Sequence, residues 1–247
     1  MGTLFDTGHV AQLHEIQKSR LRRNQPGIGP EVEALIRQLT DGGVAGKTND
    51  IREAQAKRFW DRGAWNKPSN LGRGFMGGYA DYLATIPEIP AELLKDDAEF
   101  PLIVLVEPRL GLKWLCAMAG LEFEGDDDFY QPYDDQVIFR DYVNPTWVRV
   151  QDGRRNHGRD ASQCRRSFSK YEVALTALEG VCTYLQHPSV VSDVTRPHGH
   201  IMELAGSIRH RNYTAIIGVW NRKRKLTYTF RGNDLPYCGV ASRRVCD

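Results

Sequence analysis

No C-x-x-C pair occurs in the 247 residues, and the five cysteines (Cys116, Cys164, Cys182, Cys238 and Cys246) are odd in number. Zinc ribbons need closely spaced thiolate pairs and secreted scaffolds an even disulfide set, so both readings are disfavoured. Long apolar runs are missing too. The longest, LIVLV at 102–106, falls far short of the roughly 20 residues that cross a bilayer. The first ten residues, MGTLFDTGHV, hold neither a basic n-region nor an apolar h-region, and Asp6 stands where a myristoylation signal needs Ser or Thr. The expectation is a cytoplasmic protein with no membrane partner, in which the Asn212-Tyr-Thr214 sequon goes unused. Internal repeats, low-complexity tracts and a cofactor fingerprint are likewise absent, and no cofactor is expected.

Apolar and aromatic residues are not scarce. At 41% and 10%, they are enough for a sizeable core. The net charge of +2 hides a blocky distribution. Residues 85–139 carry 3 Lys/Arg against 13 Asp/Glu, while residues 140–247 carry 18 against 9. Such blocks give the molecule a field with direction, unless a basic face and an acidic loop neutralise each other.

The spacing predicts helices first. Val10, Leu13, Ile16 and Leu21 fit one turn-by-turn stripe, Pro30 fits the first position of EVEALIRQL, and Asp50 with Glu53 forms a capping pair before DIREAQAKRFWDR. A glycine-rich stretch over 63–79 follows. FPLIVLVEP reads as a strand buried on both faces, with GLKWLCAMAGL as the helix after it. QVIFRDYVNPTWVRVQDG reads as two strands around Asn144-Pro145. Ser169-x-x-Glu172 predicts the start of a long helix that Pro188 stops. NYTAIIGVW and KLTYTF flank a basic hairpin tip, and YCGVASRRV reads as one last strand. The fold class is α+β, with a helical N-terminal extension over 1–84 and a main domain over 85–247.

Four patterns invite chemistry. Gly46-Lys47-Thr48 resembles the tail of a phosphate loop, but Asp41 sits where the first glycine belongs. His198 and His200 would share one face of a strand, and with Glu203 they make a weak metal set. Cys164 lies among Arg159, Arg165 and Arg166, which would favour a thiolate, with His157 nearby as a base. The fourth pattern is the densest: Arg149, Arg154, Arg155, Arg159, Arg165, Arg166 and Lys170, framed by Trp147 and Phe168, before the helix start expected at Ser169. Arginine forks grip phosphate and carboxylate, and a helix N-terminus adds free N–H groups. Arg222, Lys223, Arg224 and Lys225 at the hairpin tip form a second patch.

Three stretches, PTWVRVQDGRRN, LTALEGVCTYLQHP and YCGVASRRV, together with FPLIVLVEPRLGL, resemble a bacterial family of unknown function over roughly residues 100–245. That resemblance implies a bacterial cytosolic setting and one folding unit for this part. It carries no activity and no catalytic residue. Gly180, inside the long helix, calls for something packed closely against it, for which the LIVLV strand is the expected partner. Glu179 beside it is expected to be a half-buried acid. The leading expectation is binding of an anionic partner, nucleic acid first, through the 149–170 segment and the 222–225 tip. One alternative is a small hydrolase using His198, His200 and Glu203 on a metal, or Glu179 as an acid–base group. The other is a protein-interaction module using the acidic loop over 122–135.

Overall fold

A computed structural model describes residues 50–64, 77–124, 131–132, 144–195, 198–209, 213–230 and 235–245. By packing, the chain divides into two units, Met1–Ile51 and Arg52–Asp247. The described strands and the buried core lie in the second. The helices expected before residue 50, the Gly46-Lys47-Thr48 turn, glycine-rich residues 65–76, the strand before Asn144 and acidic residues 125–130 and 133–135 lie outside the described residues.

The fold is α+β. Helix α1 spans 50–61, and α2 is Tyr79–Ala84. Strand β1, Leu102–Val106, leads into α3, Leu112–Ala119, as its apolar run predicts. Short strands β2 (Glu122–Phe123) and β3 (Gln131–Pro132) follow, then β4 (Thr146–Gln151), α4 (Ala161–Ser167), β5 (Glu172–Ala174) and α5 (Ala177–Gln186). The chain ends in β6 (Ile201–Arg209), β7 (Tyr213–Trp220), β8 (Lys223–Phe230), β9 (Cys238–Val240) and β10 (Ser242–Arg244).

These strands make two sheets. One has the antiparallel order β1-β4-β10-β5. The other runs β2-β8-β7-β6-β3, with β9 parallel beside β6. Trp220 pairs with Lys223, and the two residues between them, Asn221 and Arg222, have φ of 49° and 68°. Positive φ at both positions is the primed turn that matches strand twist, so the basic hairpin tip is confirmed. The expected single last strand is two. The chain crosses from one sheet to the other at Ala241, whose N–H donates to Glu203 O and whose carbonyl accepts from Leu175 N–H. One residue out of the pairing is enough to change partners.

The predicted helix start at Ser169 is corrected. Two Ser/Thr-x-x-Glu boxes lie in tandem, and the second starts the helix. Thr176 caps α5, its Oγ1 accepting from Glu179 N–H, while Glu179 accepts from Thr176 N–H. Residues 172–174 pair instead with Ser242–Arg244. The counter-charges differ in burial: Arg243 Nε lies 2.6 Å from Glu179 Oε1 inside the core, whereas Glu172 of the first box pairs with the more exposed Arg155.

Helix α5 packs against α3, β1 and β6 and is almost wholly buried. Gly180 allows that approach. A Cβ there would lie 2.3 Å from Leu204 Cδ2, so the partner is β6 and not the LIVLV strand.

Candidate anion-binding cleft

The end of β4 builds the site. Gln151 is buried, and its Nε2 donates to Val240 O at 3.0 Å and to Ser242 Oγ at 2.7 Å. Its Oε1 accepts from Gly153 N–H at 2.6 Å. One amide side chain thereby closes the Gln-Asp-Gly turn and ties it to both terminal strands. Gly153 has φ of 97°, and a Cβ there would stand 2.2 Å from Gly239 O, so no side chain fits. Buried Asn156 donates to Val240 O at 2.7 Å. The 3-10 turn Arg154–Asn156 is thus held at both ends, with its two arginines outward.

Both arginines line one cleft of about 500 Å³, together with Asp152, His187 and an apolar wall that includes Leu102 and Val190. Arg154 is ion-paired with Asp152 and donates to Ser189 O at 3.0 Å. Arg155 is ion-paired with Glu172 and lies over the Phe100 ring, 5.0 Å from its centroid. Glu172 is held in turn by Ser242 Oγ at 2.5 Å. The His187 ring meets Ile103 O through Nε2 at 3.3 Å. Burial lowers its pKa, so the ring is neutral near pH 7 and donates through Nε2–H.

The other predicted cations scatter. Arg149 is 5% exposed and donates to Leu93 O at 2.7 Å, to Phe100 O at 2.8 Å and to Lys95 O. Its place on the binding surface is therefore corrected: the guanidinium ties the 3-10 turn Ala91–Leu94 to β4 from inside. Arg159 donates to Asn156 Oδ1 and Ser167 Oγ, and Arg165 to Ala205 O. Arg166 and Lys170 are exposed, and so are Arg222, Lys223 and Arg224 at the hairpin tip. Trp147, 6% exposed with its indole N–H on Pro87 O, and Phe168, packed against the buried cluster that includes Cys164 and Val240, belong to the core rather than to a stacking surface. No helix N-terminus lies at Ser169.

Three further readings are corrected. Cys164 is fully buried, and burial pushes its thiol up to about 11, so it is no thiolate near neutral pH. His198 sits in a turn at φ 63° before β6 begins, while His200 is fully buried, so the two share no strand face. Among the described residues no group of three or more His, Cys, Asp and Glu side chains converges as a metal set. Glu179 is 0% exposed and paired with Arg243, away from the cleft, which removes it as an acid–base group. From the acidic segment, Glu122 and Glu124 both pair with Lys225, at 3.3 and 2.6 Å.

Sequence reasoning missed the histidine pair. His157 Nε2 lies 2.5 Å from His200 Nδ1. It also missed two buried polar pairings on β10: Ser242 with Gln151, and Arg243 with Glu179 beside Thr176. The tandem Thr176-x-x-Glu179 box was a readable signal; the histidine pairing was not. Among the described residues no helix is long and apolar enough to cross a membrane. Comparison with protein-family models, curated proteins and solved structures finds no match.

Proposed function

We propose that this chain binds a small anionic ligand, a carboxylate or a phosphate, at the Arg154–Arg155 cleft. One observation carries the reading: two consecutive arginines, on a turn pinned by Gln151 and Asn156, open into the same cavity. Each guanidinium offers five N–H donors in a fixed fork, and one carboxylate partner leaves some of them for a ligand. Asp152 and Glu172 hold the forks in place before any ligand arrives, which lowers the ordering cost of binding. The neutral His187 ring and the apolar wall suit a ligand with an anionic head and a short apolar body.

A compact ligand fits better than a nucleic acid strand. A strand needs a continuous cationic track, and Arg149, Arg159 and Arg165 spend donors on the protein itself. Calorimetric titration with inorganic phosphate, succinate and a single-stranded oligonucleotide tests this. The expected result is saturable binding of phosphate or succinate that weakens about 10- to 100-fold in Arg154→Gln/Arg155→Gln, the loss of one or two charge-assisted hydrogen bonds. Equal binding by the double variant, or tight oligonucleotide binding with a steep salt dependence, would overturn it.

A further inference from the structure

The His157–His200 pair carries an inference of its own. Two imidazoles 2.5 Å apart are hydrogen-bonded only if one donates and the other accepts. His200 Nε2 lies 2.8 Å from Asp152 O, and a carbonyl oxygen only accepts. His200 therefore carries its proton on Nε2, and its Nδ1 holds the lone pair. His157 must donate through Nε2–H, which leaves the His157 lone pair on Nδ1. The His157 ring is exposed, whereas His200 is fully buried.

The fold also fixes the ring. Residue 157 forms an antiparallel bridge with Gly239, and a Cβ on that glycine would lie 2.9 Å from His157 Cδ2. Only glycine there leaves room for the imidazole in this pose. Burial lowers the His200 ring to about 4, and partial desolvation with the positive charge of Arg154 lowers the His157 ring against the opposing pull of Asp152. The arrangement is a neutral imidazole at an exposed position, its Nε2 anchored to a buried base and its lone pair on Nδ1. That is the logic of an oriented nucleophile.

We propose that His157 is a phosphoryl-acceptor site that reacts at Nδ1. As the new P–N bond forms, the ring gains positive charge, and the Nε2–H bond to His200 stabilises it. The class of donor follows from the neighbouring cation. Arg154 stands on the same turn, its carbonyl accepting from His157 N–H at 3.3 Å, and a cation on that turn favours an incoming group that carries negative oxygens. With phosphoramidate as donor, Nδ1 attacks phosphorus, the donor P–N bond breaks and ammonia leaves with the three hydrogens it already holds. No proton moves, and Nε2–H stays on His200. The proposal stands on the histidine pair and does not require a ligand in the cleft.

The whole chain treated with potassium phosphoramidate at neutral pH provides the test, because exposed His198 is an internal reference. Peptide mass spectrometry and phosphorus NMR read the modified residue and nitrogen. The expected result is a phosphohistidine at His157, linked through Nδ1, forming at least about tenfold faster than at His198. His157→Gln, at an exposed position, should lose the fast adduct and keep phosphate binding at the cleft. Equal rates at the two histidines, or linkage through Nε2 of His157, would overturn the proposal. Loss of cleft binding with selective His157 modification retained would sink the cleft reading alone.

Discussion

Glu203→Gln should change the pH dependence of stability in a way that can be worked out beforehand. Glu203 is 1% exposed on β6, where Thr214 Oγ1 donates to Oε1 at 2.5 Å and Cys238 Sγ approaches Oε2 at 3.7 Å. Burial pushes its carboxyl from the ordinary 4.5 up to about 7. Between those values the folded chain holds a proton that the unfolded chain has lost. Stability therefore falls as pH rises, by about 3 kcal/mol across the window. His200 works against it. Burial lowers that imidazole from 6.5 to about 4, so the unfolded chain holds the extra proton and stability rises with pH over 4 to 6.5. In the wild type the two slopes nearly cancel between about pH 4.5 and 6.5. Removing the carboxyl leaves the rising slope of His200, to which the lowered His157 and His187 add in the same direction. Urea unfolding at pH 4.5, 5.5, 6.5 and 7.5 measures both proteins. The stability of Glu203→Gln relative to wild type should rise by about 3 kcal/mol from pH 4.5 to 7.5. A difference that stays constant with pH would show that Glu203 titrates as an exposed acid, and the burial argument would be wrong.

Gly180→Ala places a methyl 2.3 Å from Leu204 Cδ2 and should destabilise by about 1–3 kcal/mol in urea unfolding, and by less when introduced into a Leu204→Ala background. If Gly180→Ala is as stable as wild type, α5 does not touch β6 at that point. Cys164, fully buried with its thiol raised to about 11, should react with a thiol-specific disulfide reagent at neutral pH no faster than the protein opens. Rapid labelling of Cys164 in the folded protein would restore the arginine-activated thiolate.

Local chemistry was legible where neighbours along the chain decide it. LIVLV forms β1, the stripe after it forms α3, and Asn221-Arg222 turns the β7–β8 hairpin, because apolar runs and turn residues act over a few positions. Ser169-x-x-Glu172 misled because two equivalent boxes stand seven residues apart. What separates them is burial beside Arg243, more than sixty positions further on in the chain. The arginine-rich segment shows the same limit. Sequence counts its cations but cannot say which way each guanidinium points. Backbone carbonyls of Leu93, Lys95 and Phe100 draw Arg149 inward, while the Gln151 and Asn156 anchors turn Arg154 and Arg155 outward.

The amino-acid order by itself determined the α+β class and the main strands, because periodicity and turn preference are properties of short windows. Only the tertiary structure decided which charges are neutralised, which cysteines are inert and that His157 meets His200. Those outcomes depend on burial and on pairs of groups more than forty residues apart, and the free energy of a charge or a lone pair is set by what surrounds it in space.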